Sequence, residues 1–90
     1  SPDILVFKRG MQFGIEAKAH EKTNLGIGRE QFVNLKRWED VSGINCFIGW
    51  RRSREPWYFL PLALFRENEK SFAINWENAK ALGKKLEEFV

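Results

Sequence analysis

Pro2-Asp3-Ile4-Leu5-Val6-Phe7-Lys8-Arg9-Gly10-Met11-Gln12-Phe13-Gly14-Ile15-Glu16-Ala17-Lys18 is the stretch that decides how this chain folds. Ile4 to Phe7 is an unbroken apolar run, the pattern of a strand buried on both faces. Arg9-Gly10 supplies a two-residue turn, because glycine takes positive φ without steric cost. From Gln12 onward the pattern alternates. Phe13, Ile15, Ala17 and Ala19 fall on one face, and Gln12, Gly14, Glu16 and Lys18 on the other.

Closing the hairpin on Arg9-Gly10 pairs Lys8 with Met11, Val6 with Phe13, Ile4 with Ile15 and Asp3 with Glu16. Opposed side chains lie roughly 4.5–5.5 Å apart at Cβ. Two carboxylates that close repel unless something neutralises them, and a divalent cation does so. Two carboxylates with open water positions make a hard oxygen site suited to Mg²⁺ or Mn²⁺. Lys18 lies two residues beyond Glu16, on the same face, where its ammonium can hold a phosphate or a water. The plain alternative is a pair of solvated acids, or an ordinary ion pair with Lys18.

The bulk composition sets limits. Ninety residues make one small domain, here taken as a single unit over 1–90. Hydrophobic residues are 43% of the chain and aromatic ones 14%, which excludes a disordered class. The net charge of +3 does not by itself point to nucleic acid. Its distribution is more telling, since the basic residues fall mainly in turns and loops. A single cysteine, Cys46, excludes an internal disulfide and sits in an apolar run, as a buried structural thiol would. No apolar run is long enough to span a membrane and no signal peptide is visible, so the expectation is a soluble cytoplasmic protein with no membrane partner.

Further along, His20–Gly28 reads as a polar, glycine-containing loop. Arg29 to about Val41 reads as a helix with Phe32, Leu35, Trp38 and Val41 as its stripe, closed by Gly43 as a left-handed cap. Ile44–Trp50 reads as a buried strand parallel to an earlier one. Arg51–Pro56 is a turn with three arginines, and Trp57–Leu60 returns antiparallel until Pro61 stops it. Leu62–Phe65 is a short helical turn, Glu67–Lys70 a charged loop and Phe72–Ile74 a brief extended piece. Asn75 caps a last helix from Trp76 to about Phe89, striped by Ala79, Leu82, Leu86 and Phe89. The class is α/β, a mixed sheet flanked by helices. Two helices are few for a sheet this apolar, so either a shortened core or a partner subunit is expected.

Pro2-Asp3, a spacer and Glu16-Ala17-Lys18 resemble the Pro-Asp … Glu-x-Lys signature of restriction-endonuclease-like nucleases. With Arg29-Glu30-Gln31 opening a helix, Phe47-Ile48-Gly49-Trp50 and Trp57-Tyr58-Phe59-Leu60-Pro61, the chain resembles archaeal-type Holliday junction resolvases up to about Phe65. The resemblance implies a restriction-endonuclease-like fold and a metal-dependent endonuclease, as a homodimer, that nicks four-way DNA junctions. It implies Asp3 and Glu16 as metal ligands with the Ala17 carbonyl as a third, Lys18 as the catalytic lysine and Gln31 as an active-site glutamine. The family begins with a helix and strand bearing a further acid. This chain starts after them, so an N-terminally shortened core is expected.

DNA contact is expected from loops: Lys8 and Arg9 at the hairpin tip, Lys22 and Arg29 around the following loop, and Arg51, Arg52 and Arg54 in the second turn. Such residues hold phosphates without reading bases, which suits recognition of junction shape. His20 is expected as a solvent-exposed loop residue, and Trp38, Trp57 and Trp76 as packing. Two other readings stay open: another nuclease of the same fold, and a non-catalytic DNA-binding module.

Overall fold

A computed structural model describes residues 1–89. Its order is β1 (Ile4–Lys8), β2 (Met11–Ala19), β3 (Asn24–Gly28), α1 (Arg29–Ser42), β4 (Asn45–Arg51) and β5 (Tyr58–Pro61). A 3-10 turn (Leu62–Leu64), β6 (Arg66–Glu67), β7 (Ser71–Asn75), α2 (Trp76–Leu82), β8 (Lys84–Lys85) and α3 (Leu86–Phe89) follow. Five strands form one mixed sheet in the order β1-β2-β4-β5-β8, and three form a second, β3-β7-β6.

The hairpin forms in the expected register. Lys8 pairs with Met11, Val6 with Phe13 and Ile4 with Ile15. Arg9 and Gly10 both take positive φ, at 50° and 79°, which matches the twist of the flanking strands. β4 runs parallel to β2, with Glu16 beside Ile48 and Lys18 beside Trp50, and β5 returns antiparallel. α1 ends on Gly43 at φ 73°, and the Asn75 side chain accepts from the Asn78 amide at 2.7 Å to start α2.

The core lies between the large sheet, α1, α2 and the small sheet. Leu25, Ile27, Phe32, Leu35, Cys46, Ile48, Trp50, Leu60, Ile74 and Trp76 fill it. The alternate residues of β4 point to the other face, which is only partly covered.

Four expectations need correction. The segment read as a loop contains β3, whose Leu25 and Ile27 are buried; alternating glycines hid a two-residue period. β1 is not buried on both faces but is the sheet edge, with Ile4 49% and Phe7 68% exposed. Val41 leaves the α1 stripe and is 83% exposed, because nine residues at about 100° each turn it to the side opposite Phe32. The last helix breaks at Gly83. A Cβ there would meet the Ala79 carbonyl at 2.5 Å and Leu60 at 2.8 Å, so the chain passes close over β5 in extended form and resumes as β8 and α3.

Candidate active site

The site is built where β1 begins, β2 passes beneath α1, and α1 starts. Glu16 is the one buried charged residue among the described residues, at 7% exposure. Its face of β2 is the one that α1 covers. Two residues earlier the same face carries Gly14, where a Cβ would meet Pro2 at 2.7 Å and Trp38 at 2.9 Å. Only a residue without a side chain lets Pro2 and the helix come so near.

Asp3 lies just ahead of β1, and its Oδ2 accepts from the Ala17 amide at 3.1 Å. This bond brings the Asp3 carboxylate to the level of Glu16 although Ile4 is the last paired strand residue. Gln31 sits in the first turn of α1, four residues before buried Leu35 and therefore on the sheet-facing side. Its Nε2 donates to Glu16 Oε2 at 2.8 Å. Its Oε1 accepts from Lys18 Nζ at 3.4 Å, a long contact. One amide orientation thus serves a carboxylate and an ammonium together. Lys18 Nζ stands 3.8 Å from Glu16 Oε2.

Burial raises the Glu16 pKa above the ordinary carboxylate value, the Asp3 charge adds to the rise, and Lys18 opposes it. A buried acid beside a second acid is a concentration of negative charge that a cation would relieve. Asp3, Glu16 and Gln31 line a hollow of about 430 Å³ with Glu30, Asn34, Leu35 and Ser1. Glu30 and Asn34 were not legible as site residues. They lie four apart on α1 and share its hollow-facing side, which only the docking of the helix defines. Among the described residues no group of three or more His, Cys, Asp or Glu converges.

The basic residues do not form one patch. Lys8 and Arg9 cap the hairpin, roughly 17 Å along β1 from Asp3 at about 3.3 Å per residue. Lys22 and the Arg51, Arg52 and Arg54 turn lie at the other end, on two loops joined by the His20 amide donating to the Arg51 carbonyl at 3.1 Å. Arg29 is tied down. It ion-pairs with Glu67, donates to the Asn68 and Glu69 carbonyls, and lies over Phe72. Its guanidinium therefore anchors the start of α1 to the turn before β7. His20 is partly buried rather than exposed, its Nε2 at 2.8 Å from the Asn24 carbonyl. Cys46 is buried, and that burial, with Glu39 and Glu16 nearby, pushes its thiol up to about 11, far from a thiolate nucleophile. No helix among the described residues is long and apolar enough to cross a membrane.

This mixed sheet, with its acid-bearing hairpin and flanking helices, defines the restriction-endonuclease-like nuclease fold. The same architecture is found in Archaeoglobus fulgidus Hjc, described as a Holliday junction resolvase from an archaeal hyperthermophile. The two superpose with a TM-score of 0.87 at 23% identity, over 98% of this chain and 71% of that one. No curated protein matches the sequence. The profile of the archaeal Holliday junction resolvase (hjc) family matches residues 1–90, and the chain belongs to that family. Its activity is structure-selective cleavage of DNA at four-way junctions.

Proposed function

We propose that junction cleavage takes place at the hollow around Glu16, with Asp3 and Glu16 as ligands of Mg²⁺ (or Mn²⁺) and Lys18 as the catalytic lysine. The observation that carries this is the buried Glu16 carboxylate, bracketed by Asp3, Lys18 and Gln31. A structural role alone gives little reason to bury a carboxylate beside another one.

The residues suit such an ion. The donors are hard oxygens, and two carboxylates leave room for the waters that Mg²⁺ retains. The Ala17 carbonyl is the third protein oxygen. In extended backbone the amide and carbonyl of one residue point to the same side, and the Ala17 amide already faces Asp3. Bound there, the ion would polarise the scissile phosphate and acidify a water. Lys18 steadies that water or the charge that builds on the phosphate. Gln31 keeps the Glu16 carboxylate and the Lys18 ammonium in fixed relation. Lys8, Arg9, Lys22, Arg51, Arg52 and Arg54 contact the DNA backbone.

The working form is a homodimer. Resolving a junction takes two cuts, and a two-fold pair presents two equivalent sites. Sedimentation of the free protein tests this, with a two-chain mass expected and a one-chain mass at all concentrations contradicting it. The site assignment is tested by nicking assays on four-way and linear DNA with and without Mg²⁺, using Asp3→Ala, Glu16→Ala and Lys18→Ala. Loss of cutting with retained junction binding is expected. Full activity in all three variants rules the assignment out.

A further inference from the structure

The Arg51–Pro56 turn sets three arginines beside the Lys18 end of the sheet, since Trp50 pairs with Lys18 and Arg51 with Ala19. Such a turn should not hold its shape unaided. Its cations repel one another, and Arg54 takes φ 64°, a conformation unfavourable for a side chain with a Cβ. One backbone bond within it is formed, from the Glu55 amide to the Arg52 carbonyl at 3.1 Å.

Arg51 also lies over the Trp57 ring at 6.0 Å and Arg52 over the Trp76 ring at 5.0 Å, and the middle of the turn is held by the loop after β2. Both carboxylate oxygens of Glu21 lie 3.1 Å from the Ser53 amide, and Oε2 also accepts from the Ser53 hydroxyl at 3.1 Å. The residue before Glu21 is fixed in turn. The His20 carbonyl accepts from the Trp50 indole at 2.8 Å, and its ring meets the Asn24 carbonyl at 2.8 Å. Glu21 therefore projects from an anchored stem onto the middle of the arginine turn. Its negative charge stands where a DNA backbone would lie, which taken alone opposes binding.

We infer that Glu21 is a positioning residue for junction binding: its carboxylate clamps the Arg51–Arg54 turn in the shape that meets DNA phosphates. The inference rests on the reading of Arg51, Arg52 and Arg54 as phosphate contacts. The clamp and the bare charge predict opposite signs. Removing an acid that only repels DNA should tighten binding. Removing a clamp should loosen it, because the freed arginines must be ordered again on each binding event.

The test is equilibrium binding of the full chain to a four-way junction over a salt series, without a metal that supports cutting. Glu21→Ala should weaken binding about fivefold and lower the slope of log affinity against log salt by about one, the signature of one lost phosphate contact. Glu21→Gln, which keeps an acceptor oxygen for the Ser53 amide, should fall between. In an Arg51→Ala/Arg52→Ala/Arg54→Ala background the Glu21→Ala effect should vanish, since it acts through those residues. Unchanged or tighter binding by Glu21→Ala with a native melting curve overturns the clamp, as does an undiminished effect in the arginine-less background. Native affinity in an Arg51→Ala/Arg52→Ala/Arg54→Ala variant overturns the phosphate-contact reading itself, and the clamp with it. Loss of affinity there but not in Glu21→Ala overturns the clamp alone.

Discussion

The two faces of β2 reverse the usual arrangement of a strand. One face carries Gly14, Glu16 and Lys18 and lies beneath α1, where Glu16 is buried. The other carries Ile15 and Ala17, and with Ile4, Val6, Trp57, Phe59 and Leu86 it lines an open apolar hollow. Ile4 and Leu86 there are 49% and 54% exposed. Charge is inside and apolar surface outside. A buried acid and an uncovered apolar face are the two observations that stability does not explain. The first is where the chemistry is proposed to take place, and the second is a surface that one chain leaves open.

Several measurements sharpen that contrast or break it. The largest effect belongs to the closed face. Asp3→Ala, Glu16→Ala and Lys18→Ala should each lower single-turnover cleavage by about a thousandfold or more, while junction affinity stays near native. Next comes packing. Ile48, fully buried beside Glu16, should cost about 3 kcal/mol on truncation to alanine in urea unfolding. The same truncation of Ile4 on the open face should cost less than about 1 kcal/mol. Equal losses would mean that the two faces are not different in kind. Gln31→Ala should then slow cleavage about tenfold with little change in binding, because Lys18 and Glu16 lose their shared partner.

The smallest effect concerns Glu16 without metal. Its pKa is raised in the fold, so the folded chain holds its proton to higher pH than the unfolded chain does. Stability therefore falls as pH rises from the ordinary carboxylate value through the folded one, and the penalty persists at neutral pH. Glu16→Gln should melt a few degrees higher than native in metal-free buffer at pH 7, and the gap should close in acid. A variant that melts lower would show that the charged carboxylate stabilises the fold.

Much of this was legible in the chain. The hairpin register follows from Arg9-Gly10, because a two-residue turn leaves no freedom in pairing, and it brings Asp3 to Glu16. The capped start of α2 was readable at Asn75. The elements that escaped depend on contacts distant in sequence. β3 looks like a loop until β7 pairs with it, with Leu25 opposite Ile74. The stripe Ala79, Leu82, Leu86 and Phe89 has helical spacing, yet the close approach at Gly83 breaks it, and periodicity carries no trace of a steric approach. The site divides in the same way. Asp3, Glu16 and Lys18 were expected together from the hairpin, and the fold brings their side chains near one another. Arg29 was expected at the DNA, and its partners in the fold come from the end of β6 and the turn after it, thirty-eight to forty residues away.

Asp3 and Glu16 are proposed to share one cation. Anomalous scattering from a crystal soaked in Mn²⁺ addresses it directly. A peak roughly 2 Å from oxygens of both Asp3 and Glu16 is the predicted result. Full occupancy elsewhere on the chain, with no peak between these carboxylates, would contradict it.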